Sequence, residues 1–145
     1  SDDVAQEFTF DEINGDEGST YLKDGVITME VVNDNNAIHE ATHGFQIHTG
    51  QIIGGDKNKN KYPGGAETLI NTEIAAYKRQ FAFNAESVQN SVPSYWGTLN
   101  TLSDINRNWI IGINNNQDYI YARILLGSAY SAKWVEGYLN DQRKK

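Results

Sequence analysis

The residues best suited to chemistry lie together in "HEATH", 39 to 43, where two histidines bracket a glutamate in the spacing HExxH. An α-helix turns about 100° per residue, so positions four apart return to nearly the same face one turn along. On a helix, His39 and His43 therefore point the same way and can share one cation. Neutral imidazoles at this spacing suit zinc, which prefers four tetrahedral nitrogen, oxygen or sulfur ligands and leaves one position to water when it is catalytic. Glu40 stands beside the first ligand, placed to take a proton from a metal-activated water and hand it on to a leaving group.

Two histidines do not complete a site. His48, the only other histidine of the chain, falls nine residues after His39, roughly 180° around the helix, and faces away. The longer zincin pattern HExxHxxGxxH is absent, because Gln46 stands where its glycine belongs and Thr49 where its third histidine belongs. With no cysteine in the chain, the missing ligand must be a carboxylate. A second helix that runs back antiparallel to the first brings Glu73 within about one turn of His43, while Glu67 falls toward the far end of the pair and about 120° around the axis. Glu73 is the expected third ligand, and Ala76 one turn later leaves room for close helix approach.

The elements that must position these groups are legible as pattern. "GVITMEVV", 25 to 32, is rich in β-branched residues and reads as a strand. From Asn35 the apolar period lengthens: Ile38, Ala41, Thr42, Phe45, Thr49 and Ile52 predict a helix reaching about Ile53, capped by Asn33, Asp34 or Asn35. A glycine-bounded loop over 54 to 65 leads to a second helix, "AETLINTEIAAYKRQFAFN", with Leu69, Ile70, Ile74, Tyr77 and Phe81 inward. Pro93 is expected to open a third helical region through Trp96, Leu99, Leu102, Ile105 and Trp109. "INNNQ" breaks it, and a last helix is expected from about Tyr119 to Asn140 with Ile120, Ile124, Tyr130, Trp134 and Tyr138 apolar.

"HEATH" followed by "EIAAYKRQ" resembles the gluzincin metallopeptidases, in which HExxH on one helix is completed by a glutamate on the next, and looks most like minimal members with an ExxA pattern. The resemblance covers about residues 25 to 84. It implies zinc held by His39, His43 and Glu73, Glu40 as general base and acid, and "GVITMEVV" as the edge strand that borders the cleft and pairs with an extended peptide substrate. "EIAAYKRQFAFN" further resembles C-terminal metallopeptidase-like domains of large bacterial RHS-repeat proteins. Tyr77 stands where the thermolysin-like branch has a histidine-orienting aspartate, and no histidine follows His48 to stabilise an oxyanion. A donor from the last helix is needed instead: Tyr119, Tyr121, Arg123 and Tyr130 are the candidates, with Tyr121 chosen.

The 145 residues predict one domain of α+β class, mainly helical and zincin-like, with a small sheet whose edge strand precedes the HExxH helix. Within it, 1–24 is an acidic, loosely structured lead-in with a short strand at "EFTF", 25–84 carries the strand, both site helices and their loop, and 91–145 holds the C-terminal helices. The net charge of −7 sits entirely in that lead-in, which has eight carboxylates against one lysine, while the remainder balances eleven acids with eleven bases. A nucleic-acid partner is not expected of a neutral body with an acidic end, and no apolar run is long enough to span a bilayer. GxSxG, GxxxxGK[ST] and GxGxxG are absent. The opening serine, where a methionine would start a chain, is expected of a piece of a longer protein, and a secreted or extracellular setting is the expectation for that protein. The function expected is zinc-dependent hydrolysis of a peptide or protein substrate. The alternatives are a noncatalytic zinc-binding interaction or capping domain of such a protein, and a toxin-like effector protease.

Overall fold

The computed structural model describes residues 5–113, 120–127 and 130–144. Its order is β1 (Glu7–Glu12), β2 (Ser19–Lys23), β3 (Val26–Val31), α1 (Asp34–His48), α2 (Ala66–Phe83), α3 (Ala85–Ser91), a 3-10 turn (Leu102–Asp104), α4 (Arg107–Ile111), α5 (Ile120–Leu126) and α6 (Ala132–Lys144). This is the mixed α+β class, helices with one small sheet. The chain forms two compact units, Ser1–Thr68 and Leu69–Lys145. No helix among the described residues is long and apolar enough to cross a membrane.

In the first unit the strands are ordered β1-β3-β2, with β1 parallel and β2 antiparallel to β3. This corrects the expectation that "GVITMEVV" is an edge: β3 leads into α1 as the central strand, its backbone groups satisfied on both sides. The residues that flank it come from the segment expected to be a loose lead-in, where the short strand expected at "EFTF" runs on to Glu12 and "STYLK" is a second strand. Ile27, Met29 and Val31 share one face of β3 by the two-residue alternation of strands and are buried. α1 lies against that face. A Cβ at Gly44 would stand 2.9 Å from Met29 Sδ and 3.4 Å from Ile27 Cγ2, so only a residue without one lets helix and sheet come this close.

α1 begins at Asn33, whose side chain accepts from Asn36 N at 2.8 Å as a helix N-cap. It ends at His48, a turn earlier than the apolar period suggests. Thr49 N donates back to Phe45 O, the chain reverses, and Ile52 N reaches Gln46 O, so Ile52 is buried from a turn instead of a helix.

The second unit is built on an apolar core that includes Ile70, Tyr77, Val88, Leu99, Ile105, Trp109, Ile110 and Leu139. Pro93 does not open a helix. Residues 92 to 101 run irregularly, with a single bridge from Ser94 to Ile113, and the apolar residues at Leu99, Ile105 and Trp109 reach the core from a loop, the 3-10 turn's end and α4. The expected last helix is two, α5 and α6. Gly127 between them takes φ +104, a left-handed conformation that no helix interior accommodates. Val135 and Leu139 carry the buried stripe of α6, whereas Trp134 is exposed and stacks on Tyr130. Tyr119 and most of "INNNQ" lie outside the described residues.

Candidate metal centre

The inward face of α1 is polar. His39, Glu40, Thr42, His43, Gly44 and Gln46 are its buried residues, while Phe45, an apolar position in the sequence pattern, is 55% exposed. His39 and His43 meet edge to face, with ring centroids 4.9 Å apart and their Nε2 atoms 3.2 Å apart. Gln46 Oε1 lies 2.8 Å from His43 Nδ1. An amide oxygen there accepts the Nδ1 proton and leaves the Nε2 lone pair aimed at His39, the arrangement by which neighbouring groups set the tautomer of a metal-binding histidine.

At that separation the two Nε2 atoms share a hydrogen bond when one of them carries the proton, and a cation can take the proton's place between two lone pairs. The edge of a tetrahedron with metal–nitrogen bonds of about 2.0 Å is about 3.3 Å, close to the observed Nε2 separation. Glu73 on α2 completes the set: one ligand atom from each of His39, His43 and Glu73 lies within 4.8 Å of the others. Two neutral nitrogens and a carboxylate oxygen suit zinc and leave a fourth position for water. The three residues thus form a possible metal-binding site.

Glu40 is 6% exposed and its carboxylate is held from two sides. Thr20 Oγ1 donates to Oε1 at 2.8 Å and lies 3.0 Å from the Glu40 carbonyl oxygen, and Asn36 Nδ2 approaches Oε2 at 3.4 Å. Asn36 is fixed in turn by Val32 N, which donates to its Oδ1 at 3.0 Å. Burial of a carboxylate requires such donors. Thr20, Asn36 and Gln46 are the site residues that sequence reading missed. Gln46 was within reach, being three positions after His43 on one helix; Thr20 is brought to Glu40 only by the β2–β3 pairing.

The remaining candidates are dispersed. Tyr121 on α5 donates its hydroxyl to Glu73 Oε2 at 3.1 Å, which joins it to one expected ligand. Tyr130 lies 4.1 Å from the Trp134 ring in a stack. His48 turns away from the other histidines, as its spacing requires, and packs edge-on to Phe8 at 5.7 Å. The chain matches no family model, no curated protein and no solved structure.

Proposed function

We propose that this chain is a zinc-dependent peptidase of gluzincin type, with His39, His43 and Glu73 holding the ion and Glu40 acting as general base and acid. The observation that carries the reading is a buried glutamate, adjacent in sequence to one of three clustered potential ligands, with its carboxylate oriented by Thr20. Zinc bound there supplies Lewis acidity, polarising a carbonyl and bringing the pKa of a water down to about 7. Glu40 takes the proton from the attacking water and returns it to the departing amine. Thr20 and Asn36 fix the direction from which that carboxylate works. Gln46 keeps the His43 proton on Nδ1. Tyr121 is the proposed donor to the oxygen that gains charge as the carbonyl is attacked; in its present position it orients Glu73.

The rival is a noncatalytic zinc site that stabilises an interaction or capping domain. What favours it is that both oxygens of Glu40 already face side-chain donors. Metal content and peptide-library cleavage, measured on wild type beside Glu40→Gln, separate the two. The peptidase reading expects about one zinc per chain in both proteins and a loss of about 10²- to 10⁴-fold in cleavage with Glu40→Gln. Stoichiometric zinc with no cleavage by either supports the rival, and no zinc in either after loading removes both.

A further inference from the structure

The sheet has two outer edges, and they differ. That of β2 is taken up by the chain itself: Leu22 N donates to Gly55 O at 2.9 Å, Asn60 Nδ2 donates to Thr20 O at 2.8 Å, and Lys57 ties the same loop to Glu30. That of β1 ends the sheet. Ile13 N donates to Val31 O, and the two-residue alternation of a strand then turns the amides and carbonyls of Thr9 and Asp11 toward β3 and those of Phe8, Phe10 and Glu12 outward. Among the described residues nothing pairs with that outward row.

Side chains along this edge are sorted by face. Phe8 and Phe10, 46% and 54% exposed, stand on the α1 side, where Phe8 meets His48, and His48 meets the exposed Phe45 at 6.5 Å. Glu7, Thr9 and Asp11 stand on the other side. An unpaired edge with an aromatic strip is a template for a further strand, and soluble proteins ordinarily blunt such edges with lysine or proline. Here the edge's charged side chains, Glu7, Asp11 and Glu12, are all carboxylates, with Glu12 at the end of the face that carries Phe8 and Phe10.

We propose that β1 is a docking strand for an extended peptide that alternates apolar and cationic residues, the apolar ones on Phe8 and Phe10 and the cationic ones beside Glu7 and Asp11. Main-chain hydrogen bonds supply affinity in this mode, and alternate side chains supply selection. A second copy is a poorer occupant, because the antiparallel register that sets Phe8 against Phe10 of another β1 also sets Glu7 against Asp11. Like charges directly opposite are destabilising. Phe45 is about 160° from His43 around α1. The surface is therefore separate from the histidine face, and the proposal stands whether or not the metal site hydrolyses peptides.

The test is a titration of the full chain with end-blocked Lys-Val-Lys-Val-Lys-Val, followed by amide NMR and hydrogen exchange, with Glu-Val-Glu-Val-Glu-Val as the comparison. The expected result is slowed exchange at the Phe8 and Phe10 amides with the lysine peptide only, weakened by salt. Glu7→Lys with Asp11→Lys is expected to weaken the lysine peptide by roughly tenfold and to invert the preference, since surface charges select partners in this way. Both positions are exposed, so the variant is expected to fold, which its amide spectrum verifies. Unchanged Phe8 and Phe10 amides at millimolar lysine peptide, equal response to both peptides, or concentration-dependent self-pairing through β1 would each overturn the proposal.

Discussion

The two units bury different things. The second fills its interior with Ile105, Trp109, Ile110, Val88 and Leu139, and among its described residues only Thr72 and Gln80 are polar and buried. The first turns the polar face of a helix inward and supports it with hydrogen bonds from Thr20, Asn36 and Gln46. Burying apolar area stabilises by about 25 cal/mol per Å², whereas a polar group taken from water costs free energy unless it is paired. The second unit is thus built on apolar burial, and the first forgoes part of that gain to bury two histidines, a glutamate and the polar groups that pair with them.

Substitutions in each unit probe this contrast. Trp109→Ala is expected to cost about 3–5 kcal/mol in denaturant unfolding, by the same amount with and without zinc, because it deletes apolar packing alone. Zinc at about 100 times its Kd is expected to raise stability by about 2.7 kcal/mol in the wild type, read as a shift of the melting transition, and to do nothing in His43→Ala. A gain retained in His43→Ala would place the ion elsewhere. Gln46→Leu keeps bulk but removes the acceptor at His43 Nδ1, and a loss of about 10- to 100-fold in zinc affinity is expected by calorimetric titration. Equal affinity would mean the amide only fills space.

The smallest effect concerns the Lys57–Glu30 contact at 2.5 Å. The Lys57 ammonium, with Ser19, holds the Glu30 carboxyl below its ordinary value, and Glu30 in turn raises Lys57. The carboxylate's contribution is present above the ordinary glutamate pKa of about 4.3 and fades as pH falls through its depressed folded value. The lysine's is present below about 10.4 and fades as pH rises through its raised one. Lys57→Ala is therefore expected to lower the melting temperature slightly at pH 7 and to leave it unchanged near pH 2. A deficit that persisted in acid would point to packing of the lysine stem.

What the sequence disclosed divides along the same line. HExxH spacing placed His39 and His43 together because both follow from the period of one regular element, whereas Glu73 was selected by supposing that a second helix runs back; its carboxylate is near both histidines. The apolar period failed on α1, where Phe45 is exposed and Gln46 buried, because burial there serves polar groups. It misplaced helices around Pro93, where Leu99 and Ile105 reach the core from a loop and the end of a 3-10 turn. It did so again around Gly127, where the chain breaks into two helices that bury Ala122, Val135 and Leu139 and leave Ile124, Tyr130 and Trp134 exposed. The central place of β3 was hidden too, since the short strand read at "EFTF" was not paired with it and Ser19–Lys23, read as lead-in, takes its strand character from pairing.

The central claim is that Glu73 closes a site that the two histidines begin. Zinc titration of wild type, Glu73→Ala and Glu67→Ala tests it most directly. The account predicts one high-affinity ion per wild-type chain, a loss of at least about tenfold in affinity with Glu73→Ala, and little change with Glu67→Ala. Stoichiometric binding that survives Glu73→Ala but weakens with Glu67→Ala would contradict it.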